Sequence, residues 1–244
     1  MKVSIITVCL NSEKSILQTI NSVNEQTHKD IEHIFIDGRS TDDTVQIIRN
    51  TSKKNPKIFY QIKTGIYNAM NIGLKNCTGE IILFLNSDDF IANRFVVAQV
   101  VKNFDNKHDI LFGNIKYFNP KNKQLSRRKF KPSVYYKYAY KNGWHAPHPA
   151  FFIKRKSIIE QFNESSKISA DFEFMFKHQE VFNLKSKYLP IDCIIMSNGG
   201  ASQKLLNIIK GNIELIKVIK YEYPDLNIIY FIFKRFFFKL RSSF

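Results

Sequence analysis

Four short apolar runs in the first 85 residues, separated by three stretches of helical spacing, constrain this chain most. Residues 3–10, 31–36, 58–62 and 81–85 have the length and β-branched content of buried strands. Between them, residues 12–26 place Ile16, Ile20 and Val23 on one helical face, with Ser12 as the candidate N-cap. Thr41-Asp42-Asp43-Thr44 reads as a cap for a helix over 45–50, and residues 66–75 are helical around Ala69, Ile72 and Leu74. Strand alternating with amphipathic helix predicts an α/β fold, a mostly parallel sheet flanked by helices. Ligands of such sheets bind beyond the carboxyl ends of the strands. Three of those ends carry polar groups suited to a nucleotide: Asn11, Asp37 and Asp88-Asp89. Right-handed crossovers bring them to one edge.

The run 81–85 stops abruptly at Asn86-Ser87-Asp88-Asp89. Adjacent carboxylates at the end of a buried strand are costly to desolvate unless something positive meets them. A divalent cation carrying a diphosphate answers that need, because hard oxygen ligands suit Mg²⁺ or Mn²⁺. An Asp-Asp turn capping the next helix is the alternative.

A chain of 244 residues, 44% hydrophobic and 14% aromatic, can bury a substantial core and is not of disordered composition. Cys9, Cys77 and Cys193 leave an odd count without metal-ligand spacing, which favours a reduced, cytosolic setting over a disulfide framework. The first apolar run is too short for a signal peptide or a membrane span. The net charge of +16 is unevenly placed. No acidic residue falls between Lys116 and Lys156, and Lys234, Arg235, Lys239 and Arg241 alternate with phenylalanines near the end. Such asymmetry points to a polyanionic partner: nucleic acid, an anionic membrane or a phosphorylated substrate. After Phe112 the pattern loosens into a basic, tyrosine-rich segment. A strand over 150–153 and a helix over 171–182 follow, then two amphipathic helices over 205–221 and 226–240.

Six pieces then fall in order: SIITVCLNSEKSI at 4–16, IDGRSTDDT at 36–44, GIYNAMNIGLKNCTGEIILFLNSDD at 65–89, HPAFFIKR at 148–155, ISADFEFMFK at 168–177 and NGGAS at 198–202. With them the chain resembles a bacterial family-2 glycosyltransferase of GT-A fold, of the kind that builds O-antigen, capsule or exopolysaccharide repeats. The resemblance implies a GT-A (Rossmann-like) domain over 1–203, its nucleotide half about 1–115 and its acceptor half about 116–203. A C-terminal helical pair over 204–244 is expected to associate with an anionic membrane surface at the cytoplasmic face; packing on the domain or an oligomer contact are the alternatives.

The resemblance further implies inverting, metal-dependent transfer of a sugar from a nucleotide-sugar, foremost a UDP-sugar, to a hydroxyl of a polyprenyl-diphosphate-linked glycan. Thr7, Cys9, Asn11 and Asp37 would hold base and ribose, and Asp88 and Asp89 would serve ribose and Mn²⁺ or Mg²⁺. Asn86 stands where relatives often carry Asp, which leaves both Asp88 and Asp89 open as the metal ligand. Asn68 also replaces a common Asp, with no acidic residue shortly before Gly65, so recognition of nucleotide or donor sugar around Gly65, Asn68 and Asn71 is expected to differ. Asp171 is the expected catalytic base, with Glu173 the second candidate. His148 would line the pocket, and Gly200, with Gly199 and Ser202, would offer amides to the diphosphate. The bland alternatives are a turn at Asp37-Gly38, a helix entry at Asn11, an N-cap at Asp171, a packed loop histidine at His148 and an ordinary turn at 199–200. A sugar-phosphate nucleotidyltransferase would need a glycine-rich, arginine-bearing loop after the first strand, where Asn11-Ser12-Glu13-Lys14 stand. A nucleic-acid-binding protein, suggested by charge and by Tyr135, Tyr136, Tyr138 and Tyr140, leaves the three polar strand ends unexplained.

Overall fold

A computed structural model describes residues 1–198 and 205–242 of the chain. Its first half follows the expected alternation. Strands β1 (Val3–Cys9), β2 (Ile31–Asp37), β3 (Lys57–Tyr60) and β4 (Ile81–Phe84) lie parallel in the order β3-β2-β1-β4. Helices α1 (Ile16–Asn24), α2 (Thr44–Thr51) and α3 (Ile66–Asn76) cover both faces. Period-two alternation decides which face each residue serves. Cys9 and Phe35 pack with Ile16, Ile20 and Ile48 under α1 and α2, whereas Ile6, Ile34 and Ile36 pack with Tyr67, Ala69 and Met70 under α3. The register pairs Cys9 with Asp37 and Ile6 with Phe84, so the polar ends of β1, β2 and β4 finish side by side.

Beyond β4 the sheet becomes mixed. It adds β5 (Phe90–Ile91), helix α4 (Val96–Asn103), β6 (Ile110–Asn119), β7 (Gln124–Phe130), β8 (Phe151–Lys154), α5 (Ala170–Phe176) and β9 (Ser186–Ser197). β8 is antiparallel to both β4 and β6, β9 runs parallel to β6, and β5 and β7 pair antiparallel with β9 and β6. Residues 110–130, where sequence periodicity fades, thus form a hairpin. β7 is largely exposed and carries Arg127, Arg128 and Lys129, as suits an edge strand.

Two local expectations are corrected. Helix α1 begins at Ile16 with Ser15 in the cap position, and the Ser12 side chain does not cap it, because its hydroxyl meets that of Ser87 at 2.9 Å. The helix expected over 171–182 ends at Phe176 and continues as a π turn, Lys177–Val181.

Helices α6 (Leu205–Glu222) and α7 (Ile228–Ser242) close the described chain. Each buries one face, through Leu215 and Ile219 on α6 and Phe231 on α7, all within the main core. Ile229, Ile232, Phe233 and Phe236 remain on the outside of α7. Among the described residues no helix is long and apolar enough to cross a membrane.

Candidate active site

The three strand ends are tied to one another by their own polar groups. Asp37, fully buried at the end of β2, accepts the N–H of Ser40 at 2.9 Å and its hydroxyl at 2.6 Å. Asn11 takes a left-handed backbone, φ 49°, which Asn tolerates better than most residues. Its amide oxygen accepts the N–H of Thr41 at 2.9 Å and its own N–H donates to the Ser40 hydroxyl. Cys9 lies beneath, its sulfur 3.7 Å from the Asp37 carboxylate, and burial followed by that charge pushes the thiol pKa up. Thr7 does not reach the surface. It is fully buried and its hydroxyl shares a hydrogen bond with His33 at 2.9 Å, so its side chain is withdrawn from any ligand.

At the end of β4 the two aspartates differ sharply. Asp89 is 1% exposed and fastened on both oxygens, by the Ser197 N–H at 3.0 Å and the Asn86 side-chain amide at 3.2 Å. Asn86 therefore supplies a donor where an aspartate would add a third charge. Asp88 is half-buried, and among the described residues its carboxylate has no partner beyond its own backbone. Burial raises the pKa of both, and for Asp89 the Asp88 charge adds to it, moving the group up to about 8. Two carboxylates that resist joint ionisation fit a hard divalent cation, with Asp88 the side chain free to ligate. Among the described residues no group of three His, Cys, Asp or Glu side chains is placed to hold a metal ion.

Asp171 sits inside the first turn of α5 rather than capping it, since Ser169 holds the cap position. The Tyr67 hydroxyl donates to the Ile168 carbonyl at 2.6 Å and stands 3.4 Å from Asp171 Oδ1. His148, at the edge of β8, stacks on Phe84 with ring centroids 5.8 Å apart, and its Nε2 is buried without a partner. Burial lowers its pKa against the pull of Asp171, so the ring is neutral at physiological pH. Phe84 precedes Asn86 by two residues. His148 therefore packs against the end of β4 and lies within reach of the Asp171 charge.

Other expected residues serve the scaffold. Asn71 is 3% exposed and bridges the Phe162 backbone in both directions at 2.9 Å, as well as Glu164, so both of its amide N–H donors are already engaged. Asn68 also donates to Glu164, at 3.0 Å, although it is less buried. Gly65 opens α3 at φ 124°, a conformation suited to glycine, with open space where a Cβ would lie. Glu173 turns away from Asp171, because two residues along a helix rotate a side chain by about 200°. It accepts from Asn163 at 3.0 Å and pairs with Lys177 at 3.1 Å, lining a cavity with Glu160 and His178 that excludes Asp88, Asp89 and Asp171. Gly200 lies outside the described residues.

Sequence reasoning missed the parts supplied from a distance. Ser197, on the unforeseen strand β9, holds Asp89 and also donates its hydroxyl to the Asp88 carbonyl. Glu214 of α6 accepts the N–H groups of Lys167, Ile168 and Ser169 at 2.9–3.0 Å, fastening the turn that carries Asp171. Tyr67 had a signal, since it lies within the 65–89 motif. Glu214 had none.

With this geometry established, comparisons with known proteins converge. The glycosyltransferase GlyA of Streptococcus pneumoniae serotype 4 is 32% identical over 120 residues, 48% of this chain and 17% of that protein. An uncharacterised glycosyltransferase of Haemophilus influenzae is 35% identical over 126 residues, half of each chain. The matches thus span half or less of those relatives. Among solved structures, Staphylococcus aureus TarS 1–349 in complex with UDP-GlcNAc superposes with a TM-score of 0.71 over 93% of this chain and 68% of its own, at 23% identity. The mannosyltransferase PcManGT of Pyrobaculum calidifontis, in complex with GDP-Man and Mn²⁺, gives 0.66 over 92% and 64%, at 16% identity. At those identities the likeness is one of fold, and it bears out the expected GT-A sheet. The model of the family described as glycosyl transferase family 2 matches residues 4–162, from the first strand through the loop that meets Asn71. Strand order, the Asp88-Asp89 stop and this match agree: the chain belongs to glycosyl transferase family 2.

Proposed function

We propose that this chain is an inverting, metal-dependent glycosyltransferase that moves a sugar from a nucleotide-sugar, foremost a UDP-sugar, to a hydroxyl of a glycan carried on a polyprenyl diphosphate. One observation carries the proposal: among the described residues the Asp88 carboxylate has no partner beyond its own backbone, and it stands at the end of β4 beside a fastened Asp89 and flush with the polar ends of β1 and β2. The ligands of TarS and of the Pyrobaculum enzyme, UDP-GlcNAc and GDP-Man, belong to the donor class proposed.

In this reading Asn11, Cys9 and Asp37 border the base and ribose, and the diphosphate lies at Asp88. A bound Mn²⁺ or Mg²⁺ supplies neutralisation of the charge that builds on the diphosphate. Asp171 takes the proton of the acceptor hydroxyl as that oxygen bonds to the anomeric carbon from the face opposite the diphosphate. The bond from that carbon to the phosphate oxygen breaks, and its electron pair leaves with the nucleoside diphosphate. Tyr67 and Glu214 keep the Asp171 turn in place, and neutral His148 offers Nε2 to the same space. Residues 1–203 act as the catalytic domain. The outward apolar face of α7, flanked by Lys234 and Arg241, seats the protein peripherally on an anionic cytoplasmic leaflet during polysaccharide synthesis.

A donor-hydrolysis screen over UDP-, GDP- and dTDP-sugars with Mn²⁺ tests the proposal. Release of the free nucleoside diphosphate from one donor, abolished by chelation, is expected. No release from any donor, with or without glycan acceptors, would refute it.

A further inference from the structure

Arg235 is the least expected member of this neighbourhood. It projects from α7, 63 residues beyond Phe172 in sequence, yet its guanidinium carbon stands 5.2 Å from the ring centroid of Phe172, the residue after Asp171. Close backbone contact sets its position. A Cβ added to Gly143, which has φ 77°, would lie 2.3 Å from the Arg235 Cα, so α7 rests directly on that turn. Nε and Nη1 of Arg235 are buried without a hydrogen-bond partner, and the side chain forms no ion pair among the described residues. Burial lowers its pKa to about 10 while Asp171 and Tyr140 oppose the shift, so it remains a cation at neutral pH.

Two further nitrogens nearby are in the same condition. His148 Nε2 and His145 Nδ1 are buried and unpartnered. Burial, then the charges of Arg235 and Lys239, hold the His145 pKa well below its ordinary value. Two buried guanidinium nitrogens and two imidazole nitrogens, each without a hydrogen-bond partner, destabilise a folded chain. Stability alone gives no reason to keep them. An incoming anion does, because a guanidinium grips phosphate oxygens with paired, charge-assisted hydrogen bonds.

We propose that Arg235 is an anion-binding residue of the active site, delivered by the C-terminal helix to hold a phosphate oxygen of a bound substrate beside Asp171, with His148 as a second polar contact. The proposal rests on the glycosyltransferase reading and deepens it: α7 is part of the site as well as its cover. The shared ligand chemistry is a diphosphate, whose source is either the departing nucleoside diphosphate or the diphosphate of the acceptor.

The test compares wild type, Arg235→Met and Arg235→Lys in the full chain, by calorimetric binding of inorganic diphosphate, of UDP with Mn²⁺, and of farnesyl diphosphate, beside thermal melts. Arg235→Met is expected to lose at least about tenfold in affinity for inorganic diphosphate while its melting temperature holds or rises. Arg235→Lys, which keeps the charge without the fork, should fall between and guards against a misfolded Met variant. A parallel loss for UDP assigns the donor diphosphate; a loss confined to farnesyl diphosphate assigns the acceptor. Unchanged affinity for all three probes, or no binding of any by wild type, overturns the proposal. If donor hydrolysis persists in that case, the glycosyltransferase reading stands without it. Arginine-dependent diphosphate binding with no hydrolysis of any sugar nucleotide would instead sink that reading and leave an anion site.

Discussion

Replacing Glu32 by Gln should destabilise the sheet at the amino ends of β1, β2 and β4, the end opposite the site, even though Glu32 touches no substrate. Its carboxylate, side chain 0% exposed, sits between β1 and the turn that enters β4. It accepts from the Ser4 hydroxyl at 2.5 Å, the Thr78 N–H at 2.6 Å, the Gly79 N–H at 3.1 Å, and the ammonium groups of Lys57 at 2.9 Å and Lys2 at 3.1 Å. Glutamine keeps the volume but offers one acceptor oxygen. It must turn its NH₂ either toward Ser4, Thr78 and Gly79 or toward the two lysines. At about 1.5–3 kcal/mol for each hydrogen bond to a charged group, two or more of them lost place the cost near 3–5 kcal/mol. For a chain of this size that lowers the melting temperature by about 6–20 °C. The pH dependence has a definite sign. Burial pushes the Glu32 pKa up, but the bonds from Ser4, Thr78, Lys57 and Lys2 outweigh it and hold it well below the usual carboxylate range. A depressed folded pKa contributes stability that is present above the unfolded value of about 4.3 and is lost as pH falls through the folded one. Calorimetric melts of wild type and Glu32→Gln at pH 7 and pH 3 should therefore differ widely at the first pH and less at the second. Equal melting temperatures at pH 7 would refute the reasoning.

Three further outcomes follow from the site. Asp171→Asn should lower transfer by about 10²- to 10⁴-fold with nucleotide affinity kept, whereas Glu173→Gln should cost stability and leave the rate within a few-fold; comparable losses of rate would remove the distinction. Glu214→Gln should reduce kcat by about ten- to a hundredfold without changing nucleotide affinity, because it loosens the turn carrying Asp171, and an unaltered kcat would show that the turn holds without it. On the outer face of α7, changing Phe233 and Phe236 together to Ser should weaken sedimentation with anionic vesicles by more than about tenfold, at an unchanged melting temperature; undiminished sedimentation would count against membrane seating.

Much of the nucleotide half was legible because its signals are local. The runs at 3–10, 31–36 and 81–85 show their burial by length and composition, and the parallel register then brings Cys9, Asp37 and the β4 end together. Strand β7 was hidden because an exposed edge has no apolar face to repeat, and β9 carries Pro190 within its run. Side-chain partners 90 residues apart leave no local mark. Asn71 looked as available as Asn68 until the Phe162 backbone was found against it, and Thr7 as available as Asn11 until His33 was. Arg235 read as one charge in a basic surface. Only the approach of α7 to Gly143 turns it toward Asp171.

The central claim is that a nucleotide diphosphate lies at the carboxyl ends of β1, β2 and β4 with its metal on Asp88. Crystals soaked with UDP and Mn²⁺ and measured at the manganese edge test it most directly. The account predicts an anomalous peak beside the Asp88 carboxylate, with the nucleotide base toward Asp37. A nucleotide bound in the Glu173–Lys177 cavity, or manganese elsewhere while Asp88 stays bare, would contradict it.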